Sequence, residues 1–217
     1  MEKIRQRLVH RRNRRRGAGG LEDMDHRRAE FWRGNEYCFT TGQFARLDKS
    51  YRRHCGPTAV TNLIFTLSKA EGRPVQETPE QVFRRVAGIG GKRLIYMNAD
   101  FLRRFGGTSD ILAPLFISNC LREYGLRDSR VRGPFPANAD RICTELDKGA
   151  ILYMEVHHHP VYGNHHMLCY GYRVASGRLM LRTADGWITR LHDLPAGEAL
   201  FALCTVISRR NSRNWEP

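Results

Sequence analysis

Cys55 stands immediately before Gly56-Pro57-Thr58 and the run AVTNLIFTLSKA, in which Val60, Ile64 and Leu67 fall at helical spacing. A thiol in the first turn of a helix meets N–H groups that have no intrahelical partner, and it sits at the positive end of the helix dipole. Both favour the thiolate, which is the nucleophilic form, and the same N–H groups could hold the oxyanion that forms when sulfur attacks a carbonyl. The plainer role is packing, since a cysteine often serves as a small apolar side chain, and the residues around Cys55 leave both roles open. The other five cysteines, Cys38, Cys120, Cys143, Cys169 and Cys204, form no Cys-x-x-Cys pair, and their apolar neighbours predict burial.

A sulfur nucleophile needs a base. Residues 164–172 read NHHMLCYGY and residues 178–187 read RLMLRTADGW, two strand-like stretches joined by Ala175-Ser176-Gly177. A three-residue hairpin loop with Gly177 in the left-handed position would set Val174 opposite Arg178 and position 167 opposite Asp185. His165 then lies on the same face as position 167, one alternation from Asp185, at a backbone separation of about 7 to 8 Å that side chains can bridge. Asp185 would orient the imidazole and stabilise its cation. A two-residue loop would flip the parity and give that place to His166.

His157, His158, His159, His165 and His166 fall within ten residues, which raises the question of a metal. No carboxylate or cysteine joins them at a recognisable ligand spacing, and consecutive histidines on a strand point to opposite faces, so the sequence predicts no metal site and no cofactor. Residues 157–163 are expected to lead to the base at the rim of the site, with Trp187 as a shield over His165 and Asp185 or as plain core.

The elements that must position these groups divide the chain. Helical spacing begins at Gly56 and ends at Gly72 and Pro74. Thr78-Pro79-Glu80 predicts a second helix start, residues 110–124 a third helix with Pro114 in its first turn, and residues 138–148 a fourth, stopped by Gly149. After Gly149 the chain becomes β-prone, with strands expected at residues 151–156, 165–174, 178–183, 187–192 and 200–208. Helices followed by strands predict an α+β fold.

Cys55-Gly56-Pro57-Thr58 opening a helix, Asn164-His165 before Gly171-Tyr172, and Asp185-Gly186-Trp187 together resemble the three signature blocks of papain-like cysteine peptidases. The resemblance is closest to the bacterial branch that includes double-glycine leader peptidase domains, and it spans residues 50–192. It implies a two-lobed fold with an N-terminal helical lobe carrying Cys55, a C-terminal antiparallel β lobe carrying His165 and Asp185, and an active-site cleft between them. It implies a Cys-His-Asp triad acting on a peptide or protein substrate. Lys49 stands where such peptidases have the glutamine of the oxyanion hole; Gln43, twelve residues before the cysteine, is the candidate to fold back into that role. Loss of one such donor costs about 10²- to 10³-fold in rate.

The 217 residues, 41 % hydrophobic, fit one domain at residues 21–208, between a basic flexible arm at 1–20 and a tail at 209–217. Residues 1–16 hold eight Lys or Arg against Glu2, or +7 of the net +14. Such an arm repels itself into a solvated tail and offers weak electrostatic contact to nucleic acid or an anionic surface. The preponderance of arginine, 31 to five lysines over the whole chain, reads as a background preference. No apolar run approaches about 18 residues, so no membrane span is predicted. The basic N-terminus lacks the apolar stretch of a secretory signal, and with the scattered cysteines this predicts a cytoplasmic protein with reduced thiols. The function expected is amide hydrolysis. The alternatives are an inactive papain-like binding module that uses the basic arm, and acyl transfer through the same triad.

Overall fold

The computed structural model describes residues 33–34, 39–40, 42, 50–101, 105–196 and 201–209. Gln43, Lys49, Cys38, the basic arm and the tail beyond Arg209 lie outside the described residues.

Helix α1 (Cys55–Ala70) starts after His54, whose carbonyl accepts the Thr58 N–H at 2.9 Å. Pro57 lies in the first turn, where its missing N–H leaves nothing unpaired. Twelve of the sixteen residues of α1 are buried, which makes it a central helix covered on all sides rather than an amphipathic surface helix. Helix α2 (Pro79–Lys92) is set by a capping box: Thr78 Oγ1 accepts the Gln81 N–H, and the Thr78 N–H donates to Gln81 Oε1 at 2.8 Å. Helix α3 (Ala113–Glu123) has Pro114 in its first turn and no side-chain cap, and α4 (Ala139–Asp147) is capped by Asn138, whose Oδ1 accepts the Arg141 N–H. The sequence places α3 three residues too early, because the stretch 110–112 is a turn that delivers Asp110 to the site described below.

The main sheet is antiparallel, in the order β4 (Ser129–Pro136), β9 (Phe201–Arg209), β5 (Ile151–His159), β6 (Gly163–Ala175), β7 (Arg178–Ala184), β8 (His192–Pro195). Short β1 (Arg33–Gly34) pairs with β6 at Tyr172 and Gly171, beyond the start of β5. A separate hairpin joins β2 (Tyr96–Phe101) to β3 (Phe105–Thr108). The molecule is α+β, as expected, but β2, β3 and β4 interrupt the helical half. The stretch 187–192 is not a strand: residues 185–191 are a loop and β8 begins only at His192.

The sheet separates two cores. Helices α1, α2 and α3 pack on the face that presents Ile151, Tyr153, Leu168 and Tyr170. Helix α4 covers the other face, with Leu152, Met154, Val156, Met167 and Cys169. Alternation along β5 and β6 assigns each residue to its side.

The β6–β7 turn departs from the expected loop and yet restores its register. Ala175 pairs with Arg178, so Ser176-Gly177 is a two-residue turn with both φ values positive, 50° and 70°. Alone, that turn would exchange the faces of His165 and His166. A bulge between Cys169 and Gly171 inserts one residue, Tyr170, and the ladder ends on Leu168 opposite Ala184. Beyond that pair, Met167 and Asp185 stand in the relation that a three-residue loop would have given.

The start of α1 is wedged between two glycine contacts. A Cβ on Gly56 would collide with Thr108 Oγ1, and one on Gly186, at φ +75°, would lie 2.8 Å from Thr58 Cγ2. Gly56→Ala is therefore expected to destabilise the protein by about 1 to 3 kcal/mol through overpacking, measured as a lowered urea midpoint with an unchanged slope.

Candidate active site

Cys55 is the first residue of α1 and is half-buried. It lines a cavity of about 630 Å³ together with His165 and Asp185, which come from β6 and from the loop after β7. Main-chain N–H groups of His166, Gly56 and Cys55 itself approach the sulfur and favour the thiolate. Burial is the larger effect and, aided by the charge of Asp110, pushes the thiol above its ordinary range. The helix terminus therefore does not by itself make Cys55 a resting thiolate, contrary to the simple dipole argument.

His165 is 5 % exposed. Its Nε2 lies 2.6 Å from the main-chain carbonyl oxygen of Asp185, so Nε2 carries the hydrogen and Nδ1 is the basic nitrogen of the neutral ring. Burial lowers the His165 pKa; the Asp185 carbonyl and carboxylate work against that, and His54 and His159 add to it. The expected carboxylate–imidazole contact is replaced by a carbonyl–imidazole contact. The Asp185 carboxylate turns the other way. Its Oδ1 accepts the N–H groups of Trp187 at 2.8 Å and Ile188 at 3.3 Å, and its Oδ2 accepts the Tyr162 hydroxyl at 3.0 Å. Asp185 thus shapes the loop with its side chain and holds the ring with its backbone.

The alternation of β6 groups His165 with Met167 and Cys169, whereas α1 covers the opposite face. The loop after β7 reconciles these positions, because Asp185 holds His165 while the next residue, Gly186, abuts Thr58 of α1. No hydrogen bond joins the Cys55 sulfur to the His165 ring among the described residues. Such contacts commonly tighten only when substrate binds.

Trp187 stands over His165 at 5.3 Å in an edge-on arrangement, as a shield would. Tyr162 was not legible in the sequence. Its ring stacks on His165 at 5.2 Å and 15°, and its hydroxyl, while donating to Asp185, accepts from His192 Nε2 at 2.7 Å. The signal available was Tyr162-Gly163-Asn164, a turn next to His165. His54 was also missed; its Nδ1 lies 2.9 Å from Thr58 Oγ1.

The other wall of the cavity is polar. Asp110 Oδ2 lies 2.9 Å from His157 Nε2, and Asp110 Oδ1 lies 3.5 Å from His166 Nε2. His166 is buried, stacks near Tyr153, and is driven down to about 4, mainly by desolvation. Glu155 is opposite His166 across the β5–β6 ladder and fully buried, and desolvation, with the Asp110 charge, pushes its carboxyl up to about 8. Asp110, Glu155 and His157 offer ligand atoms within 4.8 Å of one another. Asp110 is 47 residues from His157 in sequence, so the fold brings a carboxylate to the histidines that spacing along the chain does not show.

No family model matches the chain, and no curated protein matches it.

With burial the dominant influence on the sulfur, alkylation of Cys55 by iodoacetamide in chelator-containing buffer should climb steadily as pH rises, with a midpoint above that of an exposed cysteine thiol. Mass spectrometry of the Cys55 peptide at each pH reads this directly. A plateau already reached at neutral pH would reveal a resting thiolate instead.

Proposed function

We propose that the protein is a papain-like cysteine hydrolase that cleaves a peptide or other amide bond. The observation that carries this reading is that Cys55, His165 and Asp185, from three separate stretches of sequence, line one cavity. In this reading α1 with its neighbours forms the helical lobe and the β5–β9 sheet the other, with the cavity as the cleft between them. In this reading the protein works in the cytoplasm on a peptide or protein substrate; the five described cysteines are free. Among the described residues no helix is long and apolar enough to cross a membrane.

The chemistry follows from the tautomer. As the Cys55 sulfur attacks the amide carbon, its proton passes to His165 Nδ1, and the carbonyl oxygen gains the negative charge. The donors for that oxyanion are among the N–H groups that approach the sulfur, those of Cys55, Gly56 and His166. Pro57 has none, and the Thr58 N–H is already bonded to His54. Imidazolium then protonates the leaving nitrogen, which departs and leaves a thioester. Water, losing a proton to His165, attacks the thioester and regenerates the thiol. The imidazolium, buried beneath Tyr162 and Trp187, is stabilised by the Asp185 carbonyl and by the carboxylate charge close by.

The lack of a hydrogen bond between the Cys55 sulfur and the His165 ring among the described residues favours a second reading, an inactive binding module on the same fold. Labelling separates the two. Cys55→Ala should abolish reaction with a peptidyl electrophile at neutral pH while Cys120→Ala leaves it intact; labelling that survives loss of Cys55 removes the nucleophile from the scheme. On a fluorogenic peptide, His165→Ala should cost roughly 10⁴-fold or more in kcat, the scale of losing a catalytic base. Asp185→Asn should cost far less than the roughly 10⁴-fold seen where a carboxylate itself holds the ring, because the main-chain carbonyl is retained. An amine adduct among the products would replace hydrolysis by acyl transfer.

A further inference from the structure

We infer that Asp110, Glu155 and His157 form a binding site for a first-row divalent cation in the wall of the cavity that also holds Cys55.

Glu155 carries the argument. It is completely buried and lines the cavity, and neither of its carboxylate oxygens has a hydrogen-bond partner among the described residues. A buried carboxylate without donors is costly, and proteins keep one where a proton or a cation completes it. His157 is two residues on along β5 and so shares its face, and Asp110 reaches the same point from the turn before α3. The ligand atoms of these side chains all lie within 4.8 Å of one another. The closest pair, His157 Nε2 and Asp110 Oδ2, is 2.9 Å apart. Metal–ligand bonds of about 2.0 to 2.2 Å put neighbouring ligand atoms about 3 Å apart, so a small rotation of the longer Glu155 side chain completes the set.

The donor chemistry selects the ion. One imidazole with two carboxylates suits Zn²⁺ or Mn²⁺ better than Mg²⁺ or Ca²⁺, which prefer all-oxygen shells, and no thiolate is in the set to favour a soft ion. Three protein ligands leave coordination positions open, and the partial exposure of Asp110 and His157 turns those positions to the cavity. The remaining Asp110 oxygen lies 3.5 Å from His166 Nε2.

The test is equilibrium dialysis of the full-length chain carrying Cys55→Ala, so that sulfur is not a ligand, against Zn²⁺ and, separately, Mn²⁺. One equivalent of ion should be held, and Glu155→Gln in the same background should weaken binding by at least the roughly tenfold that even an outer-sphere change costs. His158→Ala, which alters an exposed neighbour outside the set, should bind like the parent. A thermal melt provides the second readout: the ion should raise the midpoint of the parent but not that of Glu155→Gln, whose ion-free midpoint shows that it is folded. Undiminished binding by Glu155→Gln would mean that the ion sits on surface histidines, and no binding at about 1 mM ion would leave no site; either result overturns the inference.

Discussion

The site depends on how tightly the first turn of α1 is gripped. On one side Gly56 presses against Thr108 of β3, and on the other Thr58 presses against Gly186 of the loop after β7. Neither approach tolerates a Cβ on the glycine without something shifting. This double contact fixes where the Cys55 sulfur stands relative to two otherwise independent pieces of backbone. Because Gly186 directly follows Asp185, the same contact fixes the carbonyl that selects the tautomer of His165. Backbone placement, more than charge pairing between side chains, organises the site. Burial of the sulfur sets its resting protonation against the pull of the helix terminus.

Much of this was legible in the residues, and the failures have physical causes. The capping box at Thr78 and the cap at Asn138 are local, so the starts of α2 and α4 could be read from a few neighbours. The order of helices and strands gave the α+β class because apolar spacing is also local. The β2–β3 hairpin was missed: its sequence, with Gly106 and Gly107 beside Phe105, has little alternation to detect. The strand expected at residues 187–192 failed because Asp185 captures the N–H groups of Trp187 and Ile188, giving the backbone a turn in place of a ladder. Lys49 and Gln43 lie outside the described residues.

The three residues singled out in the sequence line one cavity, but the contacts among them could not be read from it. Cys55, His165 and Asp185 meet at one cavity, but which atom of Asp185 holds the ring depends on a loop geometry that residue types do not encode. Tyr162, Asp110 and Glu155 were invisible for a different reason. Their importance arises from neighbours brought in by the sheet and by the turn before α3, and a strand of histidines read in isolation offers no partner. The parity of β6 also matters here, since His165 and His166 turn one to the Asp185 carbonyl and the other to Asp110.

Tyr170, the extra residue at the β6 bulge, is tethered by its hydroxyl, which meets Thr66 of α1 at 2.9 Å and donates to the Phe39 carbonyl at 2.8 Å. Moving the bulge along the strand would break these contacts. Turn length and bulge become a matched pair: a one-residue insertion or deletion at the Ser176-Gly177 tip would rotate every side chain of β7 by half a repeat unless the kink upstream were lost or duplicated with it. Hairpin length is thus coupled, through one aromatic anchor on a buried helix, to the identity of the imidazole that meets the Asp185 loop.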